Sequence, residues 1–182
     1  MNKAEAIAGR GLIQEVEAAY LWDLAKQAPL YGYVVELGTF SGETTSLLCA
    51  AVGAERVITI DDYDAPGRQP NLHISEAVAR AVLSSRGFEP LVINADTRQV
   101  PKELDGQPIG LLFVDSWHMA AQFSAEMEAW GPLVVPGGIV ACHDYGSKKW
   151  NQMQSAVDAW AATGPWERIG LARRLVAYRR RA

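Results

Sequence analysis

The chain has 182 residues, 49% of them hydrophobic, and a net charge of −4, enough apolar material for a sizeable core in one domain. The mildly acidic balance weighs against nucleic acid as the main partner. No apolar run approaches the ~18 residues of a membrane span, and Met1-Asn2-Lys3-Ala4-Glu5-Ala6 lacks the charged-then-apolar layout of an export signal, so a cytoplasmic protein with no membrane partner is expected.

In chain order, residues 1–32 form an N-terminal helical segment. Apolar positions at Ile13, Val16, Ala19, Tyr20, Trp22 and Leu24 predict a helix over Leu12 to Gln27, ended by Pro29 and Gly32. Strand and helix signals then alternate. Strands are predicted at Tyr33–Leu37, Val57–Ile60, Leu91–Asn94, Gly110–Val114 and Gly138–Cys142. Helices are predicted at Thr44–Val52, Ile74–Ser85, Ala120–Trp130 and Trp150–Ala161, with Gly87, Gly106, Gly131, Gly137 and Gly164 at the breaks. Trp166 to Ile169 and Arg174 to Tyr178 read as a final strand pair. The alternation implies an α/β fold: a mostly parallel central sheet between two helical layers, closed by an antiparallel C-terminal hairpin. A single domain over residues 1–182 is expected. Cys49 and Cys142 stand far apart in apolar segments, with no C-x-x-C pair, and read as core residues.

Ligands of such sheets bind at the carboxyl ends of the strands. The acids there form a series: Glu36, Asp61, Asp96, Asp115 and His143-Asp144. They are expected to converge on one crevice, although any of them can instead cap a turn or helix. The first turn, Glu36-Leu37-Gly38-Thr39-Phe40-Ser41-Gly42, has the layout of a nucleotide-type cofactor site. A dinucleotide fingerprint needs a glycine where Phe40 stands, because the backbone there must approach a pyrophosphate. The pattern E-x-G-x-x-x-G therefore points to a cofactor without a pyrophosphate, or to a plain glycine turn of another α/β protein.

Two later stretches carry chemistry. Phe113-Val114-Asp115-Ser116-Trp117-His118 delivers an acid and a histidine from one strand end. Pro136-Gly137-Gly138 opens the next strand, which ends in His143-Asp144-Tyr145. Imidazole titrates near neutrality and suits a general base. His118 can equally cap the helix that follows, and His143 can orient Asp144.

Together these motifs, from about Val34 to Tyr145, resemble the class I (Rossmann-like) S-adenosylmethionine-dependent methyltransferases. The closer likeness is to the subgroup of macrolide sugar O-methyltransferases and cephalosporin hydroxylase-like proteins. The resemblance implies S-adenosyl-L-methionine as cofactor, with the backbone of Gly38, Phe40, Ser41 and Gly42, beside Glu36, against its methionine part. It places Asp61 on the ribose hydroxyls and Asp96 near the adenine, with Asp115 closing the site. It further implies O-methylation of a small hydroxylated substrate, with Asp115 and His118 as catalytic residues. In metal-dependent members carboxylates at these positions hold magnesium, so Asp115, His143 and Asp144 are the expected ligands of Mg2+ or another divalent ion. His143 stands where the macrolide sugar enzymes have a glutamate, and imidazole suits softer ions better than magnesium. A binding protein of the same fold without turnover, and a metal-dependent hydrolase or oxidoreductase, are the competing readings. The N-terminal region leaves little chain to cover the pocket, so a homodimer completing it is expected. The identity of the acceptor depends on the loops Asp62 to His73 and Tyr145 to Asn151.

Overall fold

A computed structural model describes residues 1–65 and 74–182. The expected loop position His73 lies outside the described residues, as does most of the 62–73 loop. Among the described residues six α-helices and seven strands follow one another: α1 (Lys3–Ala8), α2 (Glu15–Gln27), β1 (Tyr33–Leu37), α3 (Glu43–Val52), β2 (Val57–Asp61), α4 (Glu76–Ser85), β3 (Leu91–Asn94), β4 (Ile109–Val114), α5 (Ala120–Trp130), β5 (Val134–Cys142), α6 (Gln152–Thr163), β6 (Trp166–Ala172) and β7 (Leu175–Arg180). The sheet order is β3-β2-β1-β4-β5-β7-β6. β1 to β5 pair in parallel, and β7 joins β5 antiparallel with β6 outside it. This is the expected mostly parallel sheet, closed by the antiparallel C-terminal hairpin.

The central strands β1, β2 and β4 are buried on both faces because helices cover both. Alternation sends Val34, Leu111, Phe113, Ile139 and Ala177 to the layer of α1, α2 and α3. It sends Val35, Leu37, Leu112, Val114, Val140 and Val176 to the layer of α5 and α6, where Phe123, Met127 and Trp130 are buried. Each large side chain so buried contributes roughly 1.5–3 kcal/mol. Among the described residues no helix is long and apolar enough to cross a membrane.

Several boundaries depart from expectation. The first helix starts at Glu15 rather than Leu12, because Gly11 turns at a φ of 75°. A short helix, α1, precedes it, capped by Asn2 and Glu5 in a reciprocal box. The buried face of α2 is Glu17, Ala18, Leu21, Leu24 and Ala25, whereas Val16, expected inside, is exposed. β5 begins at Val134, and β2 includes Asp61. The last helix opens at Gln152, two residues after Trp150.

Candidate active site

The strand order reverses between β1 and β4, and that switch point opens a crevice at their carboxyl ends. Register places its two walls. Leu37 pairs with Val114, so Gly38 lies beside Asp115. Val114 also pairs with Cys142, so Asp115 stands level with His143. The backbone N–H of Asp115 donates to Leu37 and that of His143 to Val114 (2.9 and 3.0 Å). A cavity of about 260 Å³ follows, lined by Gly11 to Ile13, Gly38 to Phe40, Glu43, Thr44, Asp115, His118, His143 and Asp144. Gly11, Leu12 and Ile13, ahead of α2, line one side of it.

The glycine turn is held from below. A Cβ on Gly38, whose φ is 100°, would lie 2.3 Å from the carbonyl oxygen of Asp115. Phe40 adopts a left-handed φ of 52°, and its N–H donates to the Asp61 carboxylate at 2.7 Å. Tyr63 donates its hydroxyl to the Phe40 carbonyl (3.2 Å), and Ser41 donates to Glu43. Gly42, at a φ of 88°, starts α3. Glu36 does not reach the cavity. It is fully buried beneath the turn, and one of its oxygens accepts from Thr45 and Thr59 (2.5 and 2.6 Å). Burial above all, reinforced by the charges of Asp115 and Asp61, overrides those hydrogen bonds and pushes its carboxyl up to about 8. Glu36 is thus protonated at neutral pH.

The acids at the strand ends do not all converge. Asp96 caps its own turn: it accepts from the Arg98 N–H (2.9 Å) and pairs with the Arg98 guanidinium at 2.6 Å. Arg98 holds the Asp96 carboxyl below its ordinary range. Neither Asp96 nor Asp61 lines the cavity. Asp115, His118, His143 and Asp144 do come together there, in two pairs. His118 Nδ1 lies 3.1 Å from Asp144 Oδ2, and its ring stacks on Trp150 with centroids 4.9 Å apart. His143 Nδ1 lies 3.1 Å from Asp115 Oδ1 and 3.7 Å from Asp144 Oδ2. Its Nε2 faces Glu17 Oε2 at 3.3 Å.

Burial works against a charge on His143, but the Asp115 carboxylate and the hydrogen bonds to Asp115, Asp144 and Glu17 push its pKa up to about 12. His143 thus lies between the carboxylates of Asp115, Asp144 and Glu17, whose charges favour its protonated form. Of the expected ligands, Asp115 and Asp144 belong, with His118 as the third member, to a group whose ligand atoms lie within 4.8 Å of one another among the described residues. Asp144, at a φ of 56° and nearly buried, has its carboxyl lowered because His143, His118 and Arg174 outweigh the opposing effect of burial. Sequence reasoning missed Glu17, Trp150 and Arg174, whose guanidinium sits 3.9 Å from Asp144. Glu17 carries a signal: with Ala18, Leu21, Leu24 and Ala25 it occupies the buried stripe of α2, where a lone charge needs a partner.

Residues 35–145 match the family model described as a methyltransferase domain. No sequence among curated proteins matches. Solved structures share the fold, among them the following three. The O-methyltransferase NovP is 18% identical with a TM-score of 0.77, over 95% of this chain and 83% of that one. A TDP-rhamnose 3'-O-methyltransferase of calicheamicin biosynthesis is 20% identical with a TM-score of 0.63, over 90% and 77%. A Podospora anserina methyltransferase bound to SAH (S-adenosylhomocysteine) is 13% identical with a TM-score of 0.68, over 100% and 83%.

Proposed function

We infer the reaction from one premise: the chain belongs to the methyltransferase-domain family. The reading is transfer of a methyl group from S-adenosylmethionine to a hydroxyl of a small acceptor. The observation that carries it is the His118–Asp144 pair at 3.1 Å, facing the same cavity as the Gly38 turn. Paired with Asp144 at Nδ1, His118 would carry its own proton there and leave Nε2 to take the acceptor's. Trp150 restrains the ring from its face. With an acceptor hydroxyl at Nε2, His118 removes the proton as the oxygen bonds to the methyl carbon and the carbon–sulfur bond breaks. S-adenosylhomocysteine leaves with the electron pair on sulfur. The turn from Gly38 to Phe40 and the segment Gly11 to Ile13 line that cavity, where the turn would present its backbone to the methionine part of the donor.

Asp115, His118 and Asp144 also fit a divalent ion, which would orient the acceptor oxygen and lower its pKa. Coordination by His118 Nδ1 would compete with its bond to Asp144. Small acceptors are favoured by the cavity of about 260 Å³ and the net charge of −4. The test is calorimetric titration with S-adenosylhomocysteine, followed by methyl transfer to a panel of hydroxylated acceptors with and without chelator. Saturable binding and turnover that falls at least about 100-fold in His118→Ala are expected. Binding without turnover of any acceptor would point to a binding protein, and no binding at all would overturn the reading. Activity lost on chelation assigns the metal.

A further inference from the structure

Glu17 lies outside the cavity yet is 1% exposed and fully occupied. Its Oε2 accepts from the N–H of Gln14, the residue capping α2 (2.7 Å), and faces His143 Nε2 at 3.3 Å. Its Oε1 accepts from the N–H of Arg174, in the turn between β6 and β7 (3.1 Å). One carboxylate thus ties the start of α2, the end of β5 and the C-terminal hairpin. On the other side of the imidazole stands Asp115. The His143 ring is therefore clamped along its Nδ1–Nε2 direction by two acids from different layers of the fold. The segment Gly11 to Ile13 leads directly into the cap that Glu17 holds. Capping alone does not need a buried side chain, since ordinary capping boxes sit in solvent. Burying this carboxylate is favourable only with its hydrogen bonds complete.

We propose that Glu17 is a positioning residue: it holds the His143 ring against Asp115 and so sets the wall of the cavity against which the acceptor is aligned. The proposal rests on the methyl-transfer reading above. It is tested with Glu17→Gln, which keeps the volume and one acceptor oxygen but removes the charge. In protein with ¹⁵N-labelled histidine, His143 (assigned by loss of its signal in His143→Gln) is expected to show slowly exchanging ring N–H resonances. Glu17→Gln, which offers an uncharged acceptor in place of the carboxylate, should shift the Nε2–H resonance and speed its exchange. Turnover at saturating substrates should fall roughly tenfold, as for residues that orient a functional group from behind. Acceptor KM and S-adenosylhomocysteine Kd should stay within about twofold. In a double-mutant cycle the fall in kcat should vanish on the His143→Gln background. A merely structural role predicts a lowered Tm with kcat of the folded fraction unchanged, or losses that multiply in the cycle; either overturns the proposal. So does a wild-type spectrum without a protected His143 ring N–H, which needs no folded variant. The spectrum is read on the protein alone, so absence of turnover with an intact clamp signal counts against the methyl-transfer reading and not against the clamp.

Discussion

Replacing Glu36 with glutamine should flatten the pH dependence of stability. Burial raises the Glu36 carboxyl from 4.5 to about 8. As pH rises above about 4.5, the unfolded chain releases this proton while the folded chain keeps it. The unfolded state then binds fewer protons, so stability falls as pH rises; the contribution is intact below about 4.5 and lost by about 8. At roughly 1.4 kcal/mol per pH unit, the loss between about pH 5 and 8 is on the order of 3–4 kcal/mol. That is a large share of the ~5–15 kcal/mol typical of a domain. Glu36→Gln keeps an oxygen for Thr45 and Thr59. Its amide would sit where Oε1 has no hydrogen-bond partner, at a pH-independent penalty of about 1–3 kcal/mol. The slope, not the level, is therefore diagnostic. Urea unfolding of both proteins in steps from about pH 5 to 8 should show the variant gaining about 3–4 kcal/mol relative to wild type. Parallel curves would refute the reasoning, because they would mean that Glu36 is ionised inside the fold.

Gly38→Ala should destabilise by about 2–4 kcal/mol, from left-handed strain plus a Cβ driven onto the Asp115 carbonyl. Thermal denaturation should fall by roughly 5–15 °C, and an unchanged Tm would contradict the close approach of β1 and β4. Burial and, secondarily, the nearby Glu36 push the Cys49 thiol up to about 12, and burial with Glu126 raises Cys142 further. Neither should react with a thiol reagent in the native state near pH 8; rapid labelling in native buffer would count against their burial. Trp150→Ala should lower turnover about 2- to 10-fold by freeing the His118 ring, with Trp150→Phe largely restoring it; equal loss in both variants would argue for some other role.

Local chemistry made much of this protein legible in one dimension. β1, β3 and α5 begin and end where periodicity and punctuation place them, because apolar runs flanked by glycine and proline have few other options. The glycine turn and the acids Asp115 and Asp144 stand out for the same reason: a parallel sheet must present its strand ends to one crevice. Pairing was not legible. Which histidine meets which acid depends on the β4–β5 register and on the left-handed Asp144, which together direct His118 to Asp144 and His143 to Asp115. Glu36 and Asp96 look alike as strand-end acids. Depth separates them: one is buried and protonated beneath the turn, the other bound to its own Arg98. The buried face of α2 was also undetermined: a helix rotation of about 100°, the angle between successive residues, exchanges Val16 for Glu17. That rotation turns an apparent surface charge into the clamp behind His143. The sequence by itself determined the elements and the crevice, because those follow from short-range sterics and hydrophobic period. The ionisation states and partners inside the crevice belong to the tertiary structure, because they depend on distances of a few ångströms between residues far apart in the chain.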